Sequence, residues 1–332
     1  MLTLDAQVHT YEKNHPGRPW LGHLPGPDEA TGPQMVAALD AAGVQGAVLV
    51  ASVILYGYDP SYAEAVYDAY PDRFRLVKPV DPGDPGVGET VAHWAGRPGV
   101  VGVRLMLTPH GPEDPADPGL ALVLGEAARR GLAVNIYCPG RLGQVAALAA
   151  RHPDTNMVID HLGLFQPKTP PVPAEPFADL PALLALAAFP NVSVKISGAC
   201  TMARGPYPYR DLWDPIHRIF DAFGLERCPW GTDWTRSSGM LLQDQTQADV
   251  ALVKGMSPQD RLALLGETLE RRWVEEGAAP SKATREWLSY RLSVEAFRVM
   301  DRLSESDRAT LMAGALMKIY GWSEGARRAE KR

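Results

Sequence analysis

The feature that most constrains this chain is an alternation repeated eight times within its first 235 residues. Short, β-rich apolar runs fall near 3–9, 45–52, 73–80, 100–106, 132–138, 156–161, 192–197 and 228–233. Amphipathic stretches separate them: "PQMVAALDAAG", "PSYAEAVYDAY", "GLALVLGEAARRG", "RLGQVAALAARH", "LPALLALAAF" and "PYRDLWDPIHRIFDAFG". Each carries apolar residues at spacings of three and four, the period of a helix with one buried face. Several end at glycine, and the next apolar run follows within a few residues. Eight such alternations predict an α/β fold, a (β/α)8 TIM barrel with its core over residues 1–235. The competing doubly wound open sheet would carry a Gly-rich phosphate loop after its first strand, and none is present.

Beyond residue 235 the pattern changes within what reads as the same domain. Residues 236–300 hold charged amphipathic segments such as "SPQDRLALLGETLERRWVEEG" and "SKATREWLSYRLSVEAFRVMDRL", expected as helices packed beside the barrel. Residues 301–322 include "SDRATLMAGALMKIYGW", a closing helix with Ser306 as its expected N-cap. These C-terminal helices are also the surface through which a homo-oligomer would form. The Pro-rich piece "QPKTPPVPAEPF" (166–177) is a loop after the sixth strand, on the side where barrel sites open, and reads as either a stiff spacer or a lid.

Charge narrows the partners. The 33 basic and 39 acidic residues give a net charge of −6, with no block of like charge, so neither nucleic acid nor an anionic membrane is expected. There is no basic-then-apolar leader, and no apolar run approaches the ~20 residues of a membrane span. Cys138, Cys200 and Cys228 are odd in number and widely spaced, which excludes a disulfide framework and a CxxC knuckle. A reducing cytoplasm is the expected compartment, and Cys138 is expected to be inert.

Barrel chemistry sits at the C-terminal ends of the strands. The first run, "LDAQVHT", ends with Asp5, Gln7 and His9 on one face of a strand. Later runs deliver Ser52, Lys78, Asp81, Arg104, Asn135, Tyr137, Asp160, His161, Lys195 and Asp233 to the same end. Buried charges are costly without partners, so their convergence marks a site. An aspartate in a partly dry pocket can take a proton from water attacking a carbonyl, and imidazoles can donate to the oxyanion. Arginine suits a substrate carboxylate, which it binds bidentately. The residue types therefore point to hydrolysis of an ester-like bond in a small acidic molecule. A zinc site wants three protein ligands; His9, His161 and Asp233 could supply them, but Gln7 replaces the first histidine of a D-x-H-x-H pattern. His15 and His23, in the loop after the first strand, lie where they could reach the pocket mouth.

The ordered set "LDAQVHT", "GVRLM", "VIDHLG", "VKISG", "WGTDWT" and "ALMKIYGW" resembles the lactonase branch of the amidohydrolase-related barrels. The resemblance covers residues 1–235 and the last helix. It implies a distorted barrel that opens lactones, often without a metal. Asp233 would activate water, and His161 and His9 would flank the scissile carbonyl. Arg104 and Tyr137 would hold a substrate carboxylate, with Ser52, Gln7 and Lys195 as further contacts and Arg204 (or Arg210) as a second clamp. No cofactor is expected, although a weak zinc or manganese site stays open. Two alternatives also stay open: a metal-dependent amidohydrolase or decarboxylase, and a non-catalytic barrel that binds an acidic metabolite.

Overall fold

The computed structural model describes residues 1–24, 26–108, 111–168, 171–205, 207–240 and 282–322. Strands β1 (Leu4–Val8), β2 (Gly46–Val50), β3 (Phe74–Pro79), β4 (Val100–Met106), β5 (Ala133–Tyr137), β6 (Met157–Ile159) and β7 (Val192–Val194) form one parallel sheet in chain order. Helices alternate with them, as the 3.6-residue period requires: α1 (Gly32–Ala41), α2 (Val53–Tyr56), α3 (Ser61–Ala69), α4 (Val87–Ala95), α5 (Pro118–Arg130), α6 (Leu142–Arg151), α7 (Leu180–Ala185) and α8 (Trp213–Phe223). The sheet curls into a barrel, but a distorted one.

The distortion is at the seventh strand, where one run was expected and two are found. β8 (Ile196–Ser197) pairs not with β6 but with β9 (Trp230–Gly231). Lys195 is the crossover residue: its N–H donates to the Ile159 carbonyl at 2.8 Å, whereas the N–H of Ile196 donates to Pro229 at 3.0 Å. The Asp5 carboxylate and the Gln7 backbone complete the closure between β9 and β1. The Asp5 Oδ1 accepts the N–H groups of Gln7 and Thr232, each at 2.9 Å, and the Asp233 N–H donates to the Gln7 carbonyl at 2.9 Å. Asp5 is thus a structural residue of the seam.

Local signals explain the element ends. The α5 helix starts at Asp117, whose carboxylate accepts the Leu120 N–H at 2.9 Å, and stops at Gly131 with φ of 67°. Helix α8 buries Trp213, Ile216, Ile219, Phe220 and Phe223 along one stripe, each large apolar side chain contributing roughly 1.5–3 kcal/mol.

After α9 (Trp234–Met240), residues 241–281 of the expected insertion lie outside the described residues. The helix Lys282–Arg298 packs on the barrel through Tyr290, edge-on to Trp234 at 5.6 Å, and through Arg298, which donates to the Ala42 carbonyl at 3.0 Å. The closing helix begins at Glu305, so its N-cap is Ser304 rather than Ser306. Ser304 Oγ accepts the Asp307 N–H at 3.1 Å while the Asp307 carboxylate accepts the Ser304 N–H at 2.9 Å, a reciprocal pair that only the residue just before the first turn can make. Trp322 packs over Gly46, the first residue of β2, so this helix plugs the N-terminal end of the strands. The opposite end is left for the site.

Candidate active site

At the C-terminal ends of the strands lies a cavity of about 290 Å³. His9 follows β1, Ser52 follows β2, Arg104 sits on β4, Tyr137 ends β5 and His161 follows β6; all five line it. Three strand ends turn through left-handed backbone, and at two of them this aims a side chain inward. Asp233 has φ of 49°, His161 of 53° and Gly198 of 64°. Asp and His tolerate this region better than branched residues, and such outliers persist where the surroundings over-determine them.

Asp233 is fully buried behind His9, His161 and Arg236. Its Oδ2 takes the Arg236 Nε and lies 3.6 Å from His161 Nδ1; its Oδ1 has no hydrogen-bond partner among the described residues and lies 3.4 Å from His9 Nε2. Burial alone would push this carboxyl up, but the Arg236 guanidinium, with His161 beside it, holds it well below the usual carboxylate range. Asp233 is therefore ionised throughout the neutral range.

The partners of each imidazole decide its tautomer. His9 Nδ1 meets the Val50 carbonyl at 2.7 Å, so that nitrogen carries the proton. Lys195 Nζ donates to Gln7 Oε1 at 2.7 Å, which turns the Gln7 amide nitrogen toward His9 Nε2 at 3.3 Å. The His9 Nε2 is thus an acceptor. In His161, Nε2 faces Arg104 Nη2 at 3.2 Å, and a guanidinium can only donate. Nδ1 then carries the proton, toward Ser197 Oγ at 3.0 Å. Burial, opposed by Asp233 and reinforced by Arg236, pushes the His161 ring down to about 3, so it is neutral. Neither ring, while neutral, turns an Nε2 proton to the cavity; among the lining groups, Arg104 and the Tyr137 hydroxyl can donate.

Beneath the cavity, Asp160 binds Arg104 Nε at 2.7 Å and Lys195 Nζ at 3.1 Å. Burial would push the Asp160 carboxyl up, yet Lys195 and Arg104 hold it well below the usual range. Lys195 and Gln7 have no exposed surface and do not line the cavity. They were expected to touch substrate; their low position on the inward faces buries them as the support of Arg104 and His9. Arg204 is also displaced from its expected place. It is exposed, its Nη2 donates to the Pro173 carbonyl at 2.7 Å, and it is absent from the cavity wall. Lys78 stacks over Trp94 at 5.4 Å, and Asn135 accepts from Tyr320 at 2.8 Å. His15 and His23 are exposed and do not reach the cavity. Cys138 is buried, and burial pushes its thiol up.

Sequence reasoning missed Arg236, Lys168, Gln166 and Ser197. Arg236 and Lys168 line the cavity, and Gln166 Oε1 accepts from Arg236 Nη2. Lys168 and Gln166 belong to the start of the Pro-rich loop, which is therefore part of the site and not merely a spacer. The signal available was position: Arg236 stands three residues after Asp233, one turn along a helix. Among the described residues, no three His, Cys, Asp or Glu side chains converge as metal ligands.

The family model for amidohydrolases matches residues 5–272. The chain belongs to the amidohydrolase family. Within that family it is 34% identical over 147 residues to the L-fucono-1,5-lactonase of Burkholderia ambifaria, an overlap of 43% of this chain and 49% of the relative. The chain thus aligns with about half the length of that curated relative. Among solved amidohydrolase structures, a probable 2-pyrone-4,6-dicarboxylic acid hydrolase of Acinetobacter baumannii with citric acid bound superposes with a TM-score of 0.66 at 18% identity, covering 97% of this chain and 100% of the other. A zinc-bound amidohydrolase of Burkholderia multivorans gives 0.65 at 21% identity, with the same coverage. These likenesses establish the barrel fold.

Proposed function

We propose that this amidohydrolase opens a lactone or similar cyclic ester of a small carboxylate-bearing molecule, using water and no divalent cation. The observation that carries the reading is the pair formed by Asp233 Oδ1 and His9 Nε2, two acceptors facing each other at 3.4 Å beside a cavity that holds Arg104. Two acceptors so placed attract a proton, and one taken from water would be shared between them. The water oxygen bonds to the lactone carbonyl carbon, and the carbonyl oxygen takes up charge beside Arg104 and Tyr137. The ring C–O bond then breaks, and the stored proton passes to the departing alkoxide to give a hydroxy acid. The fuconolactonase relative and the pyrone dicarboxylate hydrolase act, by their names, on cyclic esters, which supports the same reaction class here.

Donor chemistry supports a metal-free route. Gln7 presents an amide N–H, not a lone pair, toward His9, because Lys195 holds its oxygen. His161 Nε2 is occupied by one guanidinium and Asp233 Oδ2 by another. A divalent ion here would face two fixed cations and too few lone pairs. Arg236 links binding to chemistry. A substrate carboxylate competes with Asp233 for its guanidinium, and as Arg236 turns to the substrate Asp233 is uncovered and becomes more basic.

The test is acid release from a lactone panel by protein whose metal content has been measured, before and after chelation. Turnover that survives chelation in metal-free protein is the expected result. Turnover abolished by the chelator and restored by zinc or manganese would overturn the metal-free part, and no turnover of any lactone would overturn the whole.

A further inference from the structure

The cavity lining has two unlike halves. One half comes from β4, β5, β6 and the segment after β9, and it presents Arg104, Tyr137, Lys168 and Arg236. The other lies over β1 and β2, and its wall is Leu24, Val53 and Ile54, with Met106 joining them from β4. Leu24 is held there because its loop is pinned to the α2 segment: the Leu21 N–H donates to the Leu55 carbonyl at 2.8 Å. Besides His9 and His161, the other polar lining groups among the described residues are the hydroxyls of Ser52 and Thr108.

A polyhydroxylated ring needs hydrogen-bond partners around its whole rim, since each hydroxyl stripped of water without one is penalised. A second carboxylate there needs a fixed cation of its own, and among the described lining residues no arginine or lysine follows β1 or β2. Apolar substituents have the opposite requirement, and this wall meets it. We propose that the substrate is an amphiphilic lactone, with its single carboxylate toward Arg236 and Lys168 and an alkyl or unsubstituted aryl group against Leu24, Val53, Ile54 and Met106. This rests on the lactonase reading above and names the substrate class for the same site. At about 290 Å³ the cavity is at the small end for ligand pockets, which limits the substituent to a few carbons.

The experiment compares kcat/KM on three sets of lactones by pH-indicator assay: five-membered lactone carboxylates carrying methyl through butyl groups, polyhydroxylated 1,5-lactones, and 2-pyrone-4,6-dicarboxylate. For the alkyl series, kcat/KM is expected to rise about four-fold for each added methylene until the wall is filled, and to exceed the other two sets. Val53→Thr keeps the volume and adds a hydroxyl; it is expected to reduce the preference for alkyl over hydroxylated lactones by about ten-fold with no change in fold by circular dichroism. Best turnover of the sugar-like lactones or of the dicarboxylate, or an alkyl series with no chain-length dependence, would overturn this substrate class while leaving the lactonase reading intact. Turnover of none would overturn both.

Discussion

Replacing Arg236 with methionine tests the electrostatic centre of this site most directly. Asp233 has no exposed surface and the Arg236 side chain is only 10% exposed, so their ion pair is little screened by solvent. Removing one partner of a buried pair typically costs about 3–5 kcal/mol, because the remaining charge is left buried. His161 Nδ1, which carries its proton, still stands 3.6 Å from Asp233, so the low end, about 3 kcal/mol, is expected. The pH dependence has a definite sign. In the wild type the folded carboxyl lies below its unfolded value, so its stabilising contribution is complete at neutral pH and is lost only as pH falls below about 4. In Arg236→Met burial prevails, the folded carboxyl rises above its unfolded value, and ionising it at neutral pH becomes unfavourable. The gap between the two proteins should therefore be largest at pH 7 and narrow as the pH falls toward 3. Urea unfolding across that range measures it. The acid limb of the pH–rate profile should also move upward, and KM for a carboxylate-bearing lactone should rise at least ten-fold. A stability difference below 1 kcal/mol that does not vary with pH would refute the reasoning.

Other perturbations probe the supporting layers. Lys195→Met removes the bond to Gln7 Oε1 and one of two cations on Asp160; since Arg104 remains on Asp160, a loss of about 3 kcal/mol is expected by urea unfolding, with kcat falling more than KM changes. Asp5→Asn addresses the seam, where burial pushes the Asp5 carboxyl up to about 6 despite hydrogen bonds from Thr232 and Gln7. A folded value above the unfolded one makes stability fall as pH rises from about 4 through 6, by roughly 3 kcal/mol at 1.36 kcal/mol per unit. The amide should flatten that slope in thermal melts, and an unchanged slope would count against the assignment. Gly198→Ala places a Cβ at a left-handed position where it would collide with the Arg236 guanidinium and Gln166. The strained backbone costs about 1–2 kcal/mol, and activity should drop further than stability because Arg236 must move.

Much of this molecule was legible from pattern alone. The period-2 and period-3.6 runs located the strands and helices, because burial of one face dictates that spacing wherever a segment packs on a core. The strand-end rule also pointed to His9, Ser52, Arg104, Tyr137 and His161, and all line one cavity. The rule was less informative about depth. Gln7 lies two residues before His9 on the same face, yet a shift of two residues along a strand lowers a side chain by about 6.6 Å, enough to bury it under the floor. Lys195 was read as the interior of one strand because "VSVKIS" is apolar on either side. The exchange of partners from β6 to β9 at that residue depends on the curl of the whole sheet.

By itself, then, the sequence determined the fold class, the end of the barrel where polar groups gather, and most of the residues found there. These follow from local periodicity and the cost of burying charge, both of which are written along the chain. Only the tertiary structure decided how those groups are wired. Arg236 reaches back over Asp233, the Pro-rich loop returns Gln166 and Lys168 to the wall, and Lys195 orients Gln7 from 188 residues away. Such pairings depend on which backbone segments approach within about 3 Å, and linear spacing carries no information about that. The tautomers of His9 and His161, and with them the direction in which protons can move, are properties of those contacts rather than of the residues.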